Sequence, residues 1–249
     1  MIPDAYDLKR VVARHWRRFW CGEELRALIG APVYHFADQE AFDADEVEFA
    51  GRRLSAEPVR LPHRRVAFEV RDRGADRRAL VAFAYETGTG VEALLLARMR
   101  ASRQWTDVLA HAQFNSDGWA EVVGNPLGDP MHDDHPYAHC LTGMVWRSLA
   151  ILADAGTTRE QTISRVHRPK FASAGIRGWT WHQVDIVPER LVRASEPLGG
   201  THASPRWHIR RGHWRQLADG RRVFVQACEV GDPARGGVVK DYLVGARAA

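Results

Sequence analysis

Two apolar runs, Val66–Val70 and Ala79–Tyr85, flank a polar connection, Arg71–Arg78, centred on Gly74. Short β-branched and aromatic runs bounded by such a turn predict an antiparallel hairpin. A hairpin has to cover at least one of its faces, and the chain supplies amphipathic segments for that purpose. Leu8, Val12, Trp16 and Phe19 recur at helical spacing between Ala5 and Trp20, with Arg10, Arg14, Arg17 and Arg18 on another face. Leu141, Val145, Leu149 and Leu152 form a second helical stripe in Cys140–Ala155, and Gly156 stands where a C-terminal cap belongs. The fold class that follows is α+β, a mixed helical and sheet body carrying a C-terminal antiparallel β-meander.

Between these landmarks the pattern is less specific. Residues 31–62 are acidic and without clear period. Thr87–Gly90 reads as a turn and helix cap, since the spacing and the lysine of a phosphate-binding loop are missing. Val91–Phe114 holds no Gly or Pro and carries Leu94, Leu95, Met99, Trp105, Val108 and Leu109, which predicts one helix or two divided near Ser102. Asn115–Tyr137 is rich in Gly, Pro, Asn and Asp and predicts a loop with a short strand at Trp119–Val123. Thr157-Thr158-Arg159-Glu160 has the form of a capping box and predicts a short helix to Val166. Trp179–Val187 predicts a strand ended by Pro188. A linker follows, so that residues 1–188 form an α+β body and residues 189–249 a basic β module packed on it.

The module concentrates the chemistry. In Thr201–Val244, a run from Trp207 to Arg215, an apolar run Val223–Val225 and a run Val238–Val244 have strand character, separated by Ala218-Asp219-Gly220 and by Gly231-Asp232-Pro233 with Gly236-Gly237. Period-two alternation puts Lys240 and Tyr242 on one face. His208 and His213 would face opposite ways in an unbroken strand, but a bulge at Gly212 returns them to a common face. Arg206, Arg210, Arg211 and Arg215 surround them. Such a set suits acid–base work on a phosphodiester: His208 and His213 as acid and base, Lys240 and the arginines on the phosphate, Tyr242 as orienter.

Two other stretches carry binding chemistry. Arg168, Lys170 and Arg177 lie in a glycine-bearing loop just before Trp179 and Trp181, where cations beside tryptophans suit phosphate contact and base stacking. His132, Asp133, Asp134, His135 and His139 are the densest potential metal ligands, yet their spacing matches no defined motif. A solvated loop is the favoured reading there, and no cofactor is called for.

Composition narrows the setting. Three cysteines, Cys21, Cys140 and Cys228, are odd in number and far apart, which fits a reducing cytoplasm rather than a disulfide framework. No apolar run approaches the ~20 residues that cross a bilayer. The formal net charge is +4, with the excess of arginine toward the C-terminus.

The pattern His208-Ile209-Arg210-Arg211-Gly212-His213-Trp214-Arg215, followed by Gly220–Val225 and Lys240-Asp241-Tyr242, resembles the C-terminal segment of uncharacterised proteins encoded by tailed phages and prophages. The resemblance covers about the last hundred residues and implies a mobile-element origin in a bacterial cytoplasm, with no activity attached. Three functions follow as expectations. The first is nucleic-acid engagement, RNA over DNA, with a metal-independent ribonuclease as its catalytic form. The second is a non-catalytic binding protein that contacts nucleic acid or inhibits a host protein complex such as a defence system. The third assigns the same histidines and arginines to folding alone.

Overall fold

In the computed structural model of this chain, the predicted hairpin lies inside an eight-stranded sheet. The strands are β1 (Val33–Phe36), β2 (Arg65–Arg71), β3 (Arg77–Glu86), β4 (Val91–Met99), β5 (Ala110–Phe114), β6 (Ala120–Gly124), β7 (Gly156–Thr162) and β8 (Thr180–Ile186). Their spatial order is β6-β5-β4-β3-β2-β1-β8-β7. β1 runs parallel to both β2 and β8, and the other neighbours are antiparallel. The sheet belongs to the first of two compact units, Met1–Ser195 and Glu196–Ala249. The structure describes residues 2–55, 58–72, 76–115, 120–124 and 136–191, and in the second unit the backbone of five strands between residues 206 and 237.

Helices cover both faces of the sheet, so the fold is α+β with a core on each side. On one side lie α1 (Asp4–His15), a 3-10 turn at Trp16–Arg18, α2 (Gly22–Ala27) and the short α6 (Arg168–Ala172). They bury Leu8, Val12, Leu25 and Phe171 against Val33, Val81, Leu94 and Trp181. On the other side lie α3 (Gln39–Phe42), α4 (Asp45–Leu54) and α5 (Pro136–Ala150), which bury Phe42, Val47, Leu141 and Val145 against Phe36, Phe68, Ala82 and Leu95. Strand alternation explains the division, since neighbouring side chains on one strand leave on opposite faces.

The N-terminus of α1 has an unusual cap. Pro3 stands at the capping position and offers no side-chain acceptor. The buried carboxylate of Glu69 on β2 takes that role, accepting Asp4 N at 3.0 Å and Ala5 N at 2.6 Å. A helix N-terminus leaves such N–H groups without intrahelical partners, and an anion there is doubly favourable.

Three stretches depart from expectation. Val91–Phe114 forms β4 and β5 instead of helix, because both faces of the sheet are covered there and a strand buried on two sides reads as a continuous apolar run. The Thr87–Gly90 turn is present, with Thr87 N bonded to Gly90 O at 2.8 Å, but it enters a strand and not a helix. A Cβ at Gly90 would meet Phe114 O at 2.2 Å, so the close approach of β5 requires glycine. Thr157–Val166 also forms no helix: Gly156–Thr162 is the edge strand β7, paired residue for residue with β8. The acidic stretch 31–62 contains β1, α3 and α4.

The second unit is built of β9 (Arg206–Arg210), β10 (His213–Gln216), β11 (Arg222–Val225), β12 (Cys228–Val230) and β13 (Asp232–Gly237). β10 and β11 form an antiparallel pair, His213 opposite Val225. β9 lies between β12, antiparallel, and β13, parallel. The stretch from Trp207 to Arg215 is therefore two strands of two different sheets, not one bulged strand. No helix among the described residues is long and apolar enough to cross a membrane.

Candidate nucleic-acid interface

Two basic segments that are far apart in sequence meet on the α1 side of the sheet. Tyr6 of α1 packs edge-on against Phe171 of α6, with ring centres 5.6 Å apart, and its hydroxyl donates to Thr180 O at 2.6 Å. Arg14 then donates from Nη2 to Ser173 Oγ at 3.0 Å. These contacts hold the predicted arginine stripe, with Arg14 of α1 and Arg17 and Arg18 of the 3-10 turn exposed, against the α6 segment with Arg165, Lys170 and Arg177 exposed. No Asp or Glu occurs between Gln161 and Val184 to neutralise that segment. Acids on this side include Asp7, which pairs with Arg10 at 2.7 Å, Asp4, which pairs with Arg78 and Arg98, the buried Glu69, and the exposed Glu23 and Glu24 of α2.

Aromatic rings are interleaved with these cations. The half-buried Trp16 ring has two arginines beside it, Arg17 and Arg26, whose guanidinium carbons stand 4.6 and 5.4 Å from its centre. Arg168 donates from Nε to Ile163 O at 2.9 Å and lies 5.9 Å from the half-buried Trp179 ring. Guanidinium groups held beside indoles place cations for phosphate next to ring surface on which a base can stack.

A second cluster stands on the opposite face, close to the same end of the sheet. Tyr34 on β1 and His182 on β8 are strand partners, and their rings stack with centres 4.7 Å apart and planes 22° from parallel. The exposed His63, two residues before β2, meets the Tyr34 hydroxyl at 3.1 Å through Nε2 and lies 6.5 Å from His182, 18° from parallel. Because β1, β2 and β8 are parallel, their starts share one end of the sheet. His63 enters there just before β2, and Arg177 and Trp179 enter there just before β8. Burial raises the Tyr34 phenol above its ordinary range. Burial, with a smaller push from His63, lowers the His182 imidazole, against the pull of Glu160 on β7.

Two further polar clusters are internal supports. Lys9, almost fully buried, donates to Ala31 O, and burial drives its pKa down to about 7 despite the attraction of Glu69. The Glu92 carboxylate accepts Tyr85 Oη at 2.6 Å and lies 3.0 Å from His111 Nε2.

The predicted site residues are distributed unevenly. Arg168, Lys170 and Arg177 lie on the basic surface. Trp179 is half-exposed beside them, whereas Trp181 is buried and packs edge-on against His35 at 5.5 Å, so it belongs to the core. Arg206, His208 and Arg210 lie on β9, and His213 and Arg215 on β10, in separate sheets. Arg211, Lys240 and Tyr242 lie outside the described residues, as do His132, Asp133, Asp134 and His135. His139 is exposed on α5, and no group of three His, Cys, Asp or Glu among the described residues is arranged to hold a metal. Sequence reasoning missed Tyr34, His63 and His182, whose meeting depends on strand order alone. Comparisons with protein-family models, with curated proteins and with solved structures find no match to the chain.

Proposed function

We propose that this protein binds nucleic acid, RNA in preference to DNA, on the basic surface formed by α1 and the α6 segment. The observation that carries this reading is the Arg14–Ser173 contact, which joins two separate cationic segments into one surface. Exposed arginines and a lysine interleaved with half-exposed tryptophans suit a single strand, whose phosphates take the charge while its unstacked bases find ring faces. A mobile-element origin accords with either an RNA-directed role or the masking of a host complex, and the two differ in what the surface prefers.

Fluorescence anisotropy with a labelled oligouridylate, the same sequence as duplex DNA, and an acidic polypeptide decides between them. The reading expects the single-stranded RNA to bind most tightly and Arg17→Ala with Lys170→Ala to weaken it. Tighter binding of the acidic polypeptide would favour a protein partner, and no binding of either nucleic acid would refute the proposal.

A further inference from the structure

The stack of Tyr34, His63 and His182 has a composition that binding alone does not call for. We propose that these residues form an acid–base site that cleaves RNA passing from the basic surface around the shared end of the sheet, a step that requires no metal ion. This rests on the RNA-binding reading above and adds a substrate requirement, a 2′-hydroxyl next to the scissile phosphate.

Cleavage by internal transesterification needs a base for the 2′-hydroxyl proton and an acid for the 5′-oxygen, each within about 2.6–3.2 Å of its target. Those oxygens lie on opposite sides of one phosphorus, so two imidazoles separated by a few ångströms suit them better than two in contact. His63 and His182, 6.5 Å apart and nearly parallel, have that separation. His182 is the base, because burial and the neighbouring His63 favour its neutral form over the contrary effect of Glu160. His63 is the acid: exposed at its outer side, it has Nε2 fixed by the Tyr34 hydroxyl and Nδ1 left for a proton to donate. Tyr34 is a positioning residue that holds both rings, one by stacking and one by its hydroxyl. Arg177, exposed two residues before Trp179 at the entrance to β8, brings a cation to this end of the sheet.

In the step, His182 takes the 2′-hydroxyl proton as the 2′-oxygen bonds to phosphorus. The bond from phosphorus to the 5′-oxygen breaks, and His63 gives that oxygen its proton. The products are a 2′,3′-cyclic phosphate and a 5′-hydroxyl, and proton exchange with solvent resets the pair. Atoms and charge balance with no further reactant.

The test uses end-labelled single-stranded RNA and the full chain in excess chelator, at pH 5 to 9. The expected result is cleavage by the wild type to cyclic-phosphate ends, with a bell-shaped pH profile and no cleavage of the 2′-deoxy strand. His63→Gln and His182→Gln each lower the rate by about a hundredfold or more while RNA affinity stays within about twofold. Tyr34→Phe retains cleavage but displaces one limb of the pH profile, which a purely structural tyrosine would leave in place. His63 is exposed and its substitution leaves the core untouched, and the comparison of RNA with its 2′-deoxy analogue needs no variant. RNA bound but uncut would overturn the proposal and leave the binding reading standing. Cleavage equal in wild type and His63→Gln, cleavage of the 2′-deoxy strand, or cleavage abolished by chelator would also overturn it. Failure to bind RNA would refute both.

Discussion

Replacing Glu69 should destabilise the first unit more than any single surface change, and the size follows from what its carboxylate touches. The side chain is 1% exposed and accepts two backbone N–H groups from the start of α1. Glu69→Ala orphans both donors beneath the helix, at ~1–3 kcal/mol each. Loss of the charge from the helix N-terminus adds ~0.3–1 kcal/mol. The nearby Lys9 also loses its anion, while His35 Nδ1, 3.0 Å from Oε1 without a hydrogen-bonding angle, contributes little. The total is about 4 kcal/mol, a large part of the ~5–15 kcal/mol by which a domain is stable. Glu69→Gln keeps one acceptor oxygen and should cost about half as much. Urea unfolding followed by tryptophan fluorescence reads both, since a slope near ~2 kcal/mol/M turns these costs into midpoint shifts of about 2 M and 1 M. A shift below about 0.5 M for Glu69→Ala, or a greater loss for Gln than for Ala, would refute the capping argument.

Other consequences can be checked singly. A Cβ at Gly156 would meet Ile151 O at 2.7 Å and Val184 Cγ1 at 3.0 Å, so Gly156→Ala should cost ~1–3 kcal/mol and lower Tm by several degrees in calorimetry; an unchanged Tm would show that the end of the α5 segment has room. His182 is held below its ordinary 6.5, so the unfolded chain takes up the proton first as pH falls through that value. Its contribution to stability is thus present above 6.5 and lost as pH falls toward the folded pKa; urea midpoints should decline less between pH 7 and 5.5 in His182→Gln, and equal declines would contradict the shift. Burial, then Glu24, Asp107 and Glu92, push the Cys21 thiol up to about 11. Peptide mapping should therefore find Cys21 alkylated at pH 8 roughly a hundredfold more slowly in the folded chain than in urea, because the thiolate is the reacting form; comparable rates would count against it.

The sequence was legible where a periodic face met a single core. The Val66–Val70 and Ala79–Tyr85 runs became β2 and β3, the stripe of Leu8 and Val12 became α1, and Leu141, Val145 and Leu149 lie on α5. It was illegible where burial on both sides erased alternation. Leu94, Leu95 and Leu96 are all fully buried, so β4 shows no period of two and has a composition that also suits a helix. The capping-box pattern at Thr157–Glu160 is a local signal, and pairing with β8 overrides it. The basic surface was half visible: the arginine stripe and the α6 segment could each be read, but their junction depends on Tyr6 reaching Phe171 and Thr180. The Tyr34–His63–His182 stack had no local signature, since β1 is four residues long and its partners come from positions 63 and 182.

The joined surface of α1 and the α6 segment is proposed to carry phosphate contacts through Arg14, Lys170 and Arg177. The most direct measurement is the salt dependence of oligouridylate affinity for the wild type and for the triple variant of Arg14→Ala, Lys170→Ala and Arg177→Ala. Each phosphate contact to a single strand contributes about −0.7 to the slope of log affinity against log salt. Loss of three such contacts makes the slope shallower by about two in the variant, with affinity reduced for every sequence tried. A slope unchanged from the wild type would contradict it.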